Sequence, residues 1–96
     1  LVIKGDSMNQ KVIDDKAMDD GSYIVVSRES EVSNGDAVVA VLDNSATVKS
    51  FKRDGDMIVL YPESDNESHT PIYLDQYSNG LINGKVLMVL ENPAAS

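Results

Sequence analysis

Apolar and polar positions along the chain change over in short stretches, and none sustains a helical repeat beyond two turns. β-Branched and apolar runs at residues 1–4, 22–27, 37–42, 47–51, 57–61, 72–74 and 84–90 predict strands. Between them lie Asn34-Gly35, Asp43-Asn44-Ser45, Asp54-Gly55-Asp56, Asn79-Gly80 and Asn83-Gly84, residue types that tolerate positive φ or cap a turn. Asp54-Gly55, flanked by apolar alternation, gives the clearest hairpin signal. Two regions do not read as strand: residues 9–20 are polar and fit a short helix or a loop, and residues 63–71 have the composition of an exposed loop. Pro93 stops the last strand, so residues 91–96 are expected to form a flexible tail. The pattern predicts an all-β domain, a small, highly coiled antiparallel sheet or partly open barrel.

Length sharpens this picture: 96 residues support one domain with one modest core, which argues against a two-domain cofactor enzyme. The absence of Cys excludes disulfides, thiolate zinc sites and cysteine nucleophiles. The longest apolar runs, residues 23–26 and 37–42, fall far short of the roughly 20 residues that span a bilayer as a helix. No signal-peptide pattern is present, and a start on Leu1-Val2-Ile3 without Met suggests a piece of a longer chain.

Sixteen acidic against 8 basic side chains give a formal net charge of −8. Affinity for phosphate backbones comes largely from Lys and Arg, so this charge opposes nucleic-acid binding by these residues alone. The acidic group Asp14, Asp15, Asp19 and Asp20 lacks the EF-hand spacing and reads as a solvated loop, so no metal or cofactor is implied.

Candidate chemistry is sparse. His69 is the only histidine and sits in a polar loop, which argues against a Ser-His-Asp triad. Gly5-Asp6-Ser7-Met8-Asn9 approaches a nucleophile elbow, but Asn9 replaces the second Gly and no parallel βαβ pattern surrounds it. Ser64-Asp65-Asn66 echoes a β-lactamase motif without the required Ser-x-x-Lys. A lysine can activate a serine if desolvation lowers its pKa by several units from about 10.4. Lys49 is the basic residue embedded in a convincing strand, on the same face as Thr47 and Phe51. On composition alone an outward-facing surface lysine is the default reading, and Lys4, Lys11, Lys16, Lys52 and Lys85 have still less reason to be buried.

Several segments in order carry a more specific signal. Val2-Ile3-Lys4-Gly5-Asp6-Ser7-Met8 is followed by Met18-Asp19-Asp20-Gly21-Ser22-Tyr23-Ile24-Val25-Val26 and by Val32-Ser33-Asn34-Gly35-Asp36-Ala37-Val38-Val39-Ala40. Ala46-Thr47-Val48-Lys49-Ser50-Phe51, Ile58-Val59-Leu60-Tyr61-Pro62-Glu63-Ser64 and Ile82-Asn83-Gly84-Lys85-Val86 follow. Together they resemble the C-terminal domain of LexA and phage repressors, a peptidase domain of the S24 type, over nearly the whole chain.

The resemblance implies a single dimerisation and self-cleavage domain over residues 1–96, with a Ser-Lys dyad. It implies Ser7 as nucleophile and Lys49 as general base, which reverses the composition-based reading of Lys49. The backbone N–H groups of Asp6 and Ser7 would then be the natural oxyanion donors. It further implies a cytoplasmic bacterial or phage-encoded repressor that forms homodimers or higher cooperative oligomers and has no membrane partner. Cleavage would be stimulated by a RecA filament, and operator DNA would be bound through an N-terminal helix-turn-helix domain that this sequence lacks.

Two departures stand out. The family's Ala-Gly scissile bond is absent, and residues 9–17 are longer than in the shortest members. A catalytically silent oligomerisation module therefore remains an alternative. So does a soluble fragment of a signal-peptidase-like serine protease, which shares the Ser-Met and Lys arrangement.

Overall fold

A computed structural model describes residue 3 and residues 7–42, 45–75 and 81–90. Eight strands are present among them: β1 (Val12–Ile13), β2 (Lys16–Ala17), β3 (Tyr23–Ser27), β4 (Ala37–Leu42), β5 (Ser45–Asp54), β6 (Met57–Tyr61), β7 (Ile72–Asp75) and β8 (Ile82–Leu90). No α-helix occurs among the described residues, and the all-β expectation holds. Strands β1 and β2 pair as a small hairpin. The other six form one antiparallel sheet in the order β3-β8-β4-β5-β6-β7, an open sheet rather than a closed barrel. The expected strand at residues 1–4 and the expected flexible tail at 91–96 lie outside the described residues, Ile3 excepted.

The centre of the sheet follows from the apolar run in β4. Ala37, Val38, Val39 and Ala40 are all buried, as expected for a strand covered on both faces. Ala37 and Val39 pack with Ile3, Met8, Met18, Ile24, Val86 and Val89. Val38 and Ala40 pack with Phe51, Ile58, Leu60 and Leu74 on the other side. The sheet must therefore curl enough to cover both faces of β4. Strand β8 supplies two irregularities for this: Leu87 is skipped between the Val25↔Met88 and Val26↔Val86 pairs, and Asn83 between Val39↔Gly84 and Ala40↔Ile82. Each extra residue bends the strand and raises its local twist.

The turns show where composition misleads. Residues 9–20 contain a paired hairpin instead of a helix or plain loop. Its central residues Asp14 and Asp15 have φ of 51° and 68°, the two-residue positive-φ pattern of a type I′ turn. Aspartate tolerates that region better than most residues, so two adjacent acids read as loop although they close a hairpin. Between β5 and β6 the expected hairpin forms, with Gly55 (φ 60°) and Asp56 at its centre, one position later than the Asp54-Gly55 signal.

Candidate active site

Lys49 lies on β5 opposite Val38 of β4 and is 8% exposed. Strand β6 ends at Tyr61, opposite Ser50, so the ladder beside β5 stops one residue short of Lys49. The turn that carries Ser7 is held close to this gap. Met8 is 1% exposed in the core, and the Gln10 N–H donates to the Glu63 carbonyl at 2.7 Å. The Lys11 N–H closes the turn onto the Met8 carbonyl at 3.0 Å.

These supports bring the two sequence-expected residues together. Lys49 Nζ is 3.0 Å from Ser7 Oγ, 3.1 Å from Thr47 Oγ1 and 3.3 Å from the Val48 carbonyl oxygen. Burial pushes the Lys49 pKa below its ordinary value, because the charged form loses hydration there. A neutral amine has two N–H donors and one lone pair. In that form the donors can serve Thr47 Oγ1 and the Val48 carbonyl, leaving the lone pair for the Ser7 hydroxyl proton. The arrangement is chemically equipped for lysine-assisted attack by a serine oxygen. Thr47 was placed on the Lys49 face by the period of two, and that spacing was the only sequence signal for its contact with the amine.

The remaining expected site residue, Asp6, lies outside the described residues. Lys11, expected to be a free surface lysine, is instead half-buried: its ammonium lies 3.0 Å from Glu63 Oε2 and donates to the Gly35 carbonyl. Sequence reasoning gave no role to Ser50, which is fully buried and donates its hydroxyl to the same Glu63 oxygen. Only the adjacency of Ser50 to Lys49 pointed toward it. Among the described residues, no group of three His, Asp or Glu side chains could hold a metal ion, and no helix is long and apolar enough to cross a membrane.

The family model described as Peptidase S24-like matches residues 1–87. The LexA repressor of Magnetococcus marinus is 41% identical over 96 residues, covering 100% of this chain and 38% of the relative. That of Acidothermus cellulolyticus is 42% identical over 90 residues, 94% of this chain and 29% of the relative. That of Syntrophomonas wolfei is 47% identical over 64 residues, 67% of this chain and 29% of the relative. The chain thus spans about a third of the length of these curated relatives. With the family model matched over most of the chain and a buried lysine beside a serine in an all-β sheet, this chain belongs to the Peptidase S24-like family.

Proposed function

We propose that this chain is the C-terminal domain of a LexA-like repressor and cuts a peptide bond in its own parent through Ser7 and Lys49. The observation that carries the reading is the 3.0 Å approach of Lys49 Nζ to Ser7 Oγ at a site where burial favours the neutral amine. Ser7 Oγ attacks the scissile carbonyl carbon while Lys49 takes the hydroxyl proton. The tetrahedral intermediate collapses, Lys49 returns the proton to the leaving amine, and an ester on Ser7 remains. Water, deprotonated by Lys49, then attacks the ester carbonyl, and Lys49 returns that proton to the departing Ser7 Oγ. The developing oxyanion would be met by the backbone N–H groups of Asp6 and Ser7. Resemblance to the repressors adds a RecA filament as the stimulus, loss of repression as the outcome, and operator binding by a separate helix-turn-helix domain in the cytoplasm.

The test is self-cleavage of the longer protein in which this domain is proposed to sit. Its rate should rise with pH as Lys49 loses its proton, and level off below the ordinary lysine value of about 10.4. Ser7→Ala should leave it uncut. An intact parent at every pH up to about 10 would favour a silent oligomerisation module instead.

Dimerisation is supported by one exposed apolar face. Tyr23 and Val25 on β3 stand opposite Leu90 and Met88 on β8, and these four side chains are 39%, 40%, 42% and 44% exposed. An apolar patch on an edge strand is the kind of surface a two-fold partner covers. Sedimentation of the chain should give a dimer, and Met88→Lys should shift it toward monomer. A monomer at high protein concentration would contradict this part of the reading.

A further inference from the structure

Ser7 can serve Lys49 only if the turn bearing it stays against β5. Met8 anchors that turn through the core, and its polar side is fastened to the chain that follows β6. Gln10 N–H donates to the Glu63 carbonyl at 2.7 Å. Asn9 Nδ2 donates to Asp65 Oδ1 at 2.9 Å, and the Asp65 N–H returns a bond to Asn9 Oδ1 at 3.3 Å. Lys11 Nζ pairs with Glu63 Oε2 at 3.0 Å.

The same Glu63 oxygen also accepts from the Ser50 hydroxyl, and Ser50 is the neighbour of Lys49 on β5. One carboxylate oxygen therefore joins the segment that follows the nucleophile to the strand that carries the amine. Its two partners come from different elements, and Ser50 is wholly removed from water. Charge-assisted bonds of this kind are stronger than neutral ones, and the buried hydroxyl has Glu63 as its acceptor. Lys11 is likewise shared, since its ammonium donates to the Gly35 carbonyl in the turn before β4.

We propose that Glu63, braced by Lys11, is a positioning residue that holds the Ser7 turn in register with Lys49. The proposal rests on the Ser7 and Lys49 reading above and assigns Glu63 no contact with the substrate. A displacement of about 1 Å at a reacting pair can lower a rate by as much as 10²-fold, so loosening this link should be felt in the chemistry.

The test uses the chain itself and a fluorophosphonate, which reports on an activated serine without a peptide substrate. Ser7 Oγ attacks phosphorus, fluoride leaves, the hydroxyl proton passes to Lys49, and intact mass reads the adduct. Glu63→Gln keeps an acceptor for Ser50 but loses the charge. Lys11→Met removes the brace at a partly exposed position and carries the test if Glu63→Gln does not fold. Each should slow labelling about tenfold at every pH without moving the midpoint of the pH profile, whereas a merely structural ion pair would lower the melting temperature and leave the rate of the folded protein alone. The double variant should be no slower than the slower single one, and Lys11→Arg should restore the rate. If both single variants label at the wild-type rate, or shift the midpoint and keep the plateau, Glu63 is not a positioning residue and the Ser7 and Lys49 pair stands. If the wild-type chain itself does not label at Ser7, that pair fails and the positioning role fails with it.

Discussion

Lys49→Met should lower the rate of Ser7 modification by about 10²- to 10⁴-fold, the contribution usual for a positioned general base. Ser7→Ala should abolish the adduct, because the attacking oxygen is gone. Lys49→Arg separates two explanations that Met cannot. A guanidinium keeps the positive charge but stays protonated, so it cannot accept the hydroxyl proton. If Lys49 works as a base, Arg fails as badly as Met. If it only lends positive charge to the site, Arg retains most of the rate. The lowered pKa of Lys49, caused by burial, favours the first outcome, as does its set of partners: Thr47 Oγ1 and the Val48 carbonyl account for the two N–H groups of a neutral amine.

The largest expected effect on stability comes from a glycine remote from the chemistry. Gly84 pairs with Val39 in the middle of the sheet. A Cβ there would lie 2.6 Å from Val26 Cγ1 and 2.7 Å from the Ser27 carbonyl oxygen, closer than real Cβ contacts come. Val26 is stiff at χ1, and the second obstacle is backbone, so β3 itself must move away from β8. That movement strains the Val26↔Val86 and Ser27↔Lys85 pairs beside the bulge. Gly84→Ala should therefore destabilise the chain by about 3 kcal/mol, at the upper end for overpacking. For a domain of this size that corresponds to a fall of roughly 12–24 °C in melting temperature. Gly55→Ala is the comparison. Gly55 has φ of 60° and nothing within 4 Å of an added Cβ, so only the left-handed backbone penalty of about 1–2 kcal/mol applies. Equal melting temperatures for the two variants would mean that the close approach at Gly84 is relieved without cost.

These contrasts mark what the sequence makes legible. The apolar run of β4 reads directly as a strand, and the burial of four consecutive residues, which leaves it no solvent side, emerges only in the fold. The β1 and β2 hairpin does not read so, because its turn is built from two aspartates in a conformation that few residues other than glycine adopt. The site divides in the same way. Ser7 and Lys49 are legible through the ordered motifs around them, whereas composition alone favours an exposed Lys49. Burial of that lysine depends on β4 pairing beside β5 and on the Ser7 turn arriving where β6 stops, and the second is a long-range event. Glu63 and Lys11 are the least legible. Lys11 is an ordinary surface charge in its own stretch of sequence, Glu63 lies in one of the ordered motifs with no role attached to it, and only the fold brings Lys11 and Ser50 to one Glu63 oxygen.

The pH dependence of Ser7 labelling in this chain tests the central claim most directly. A fluorophosphonate should give a single adduct, mapped to Ser7, with a rate that climbs as Lys49 deprotonates and reaches its plateau below the ordinary lysine value of about 10.4. Labelling that is absent, spread over other serines, or still rising at pH 10.4 and unaffected by Lys49→Met would contradict it.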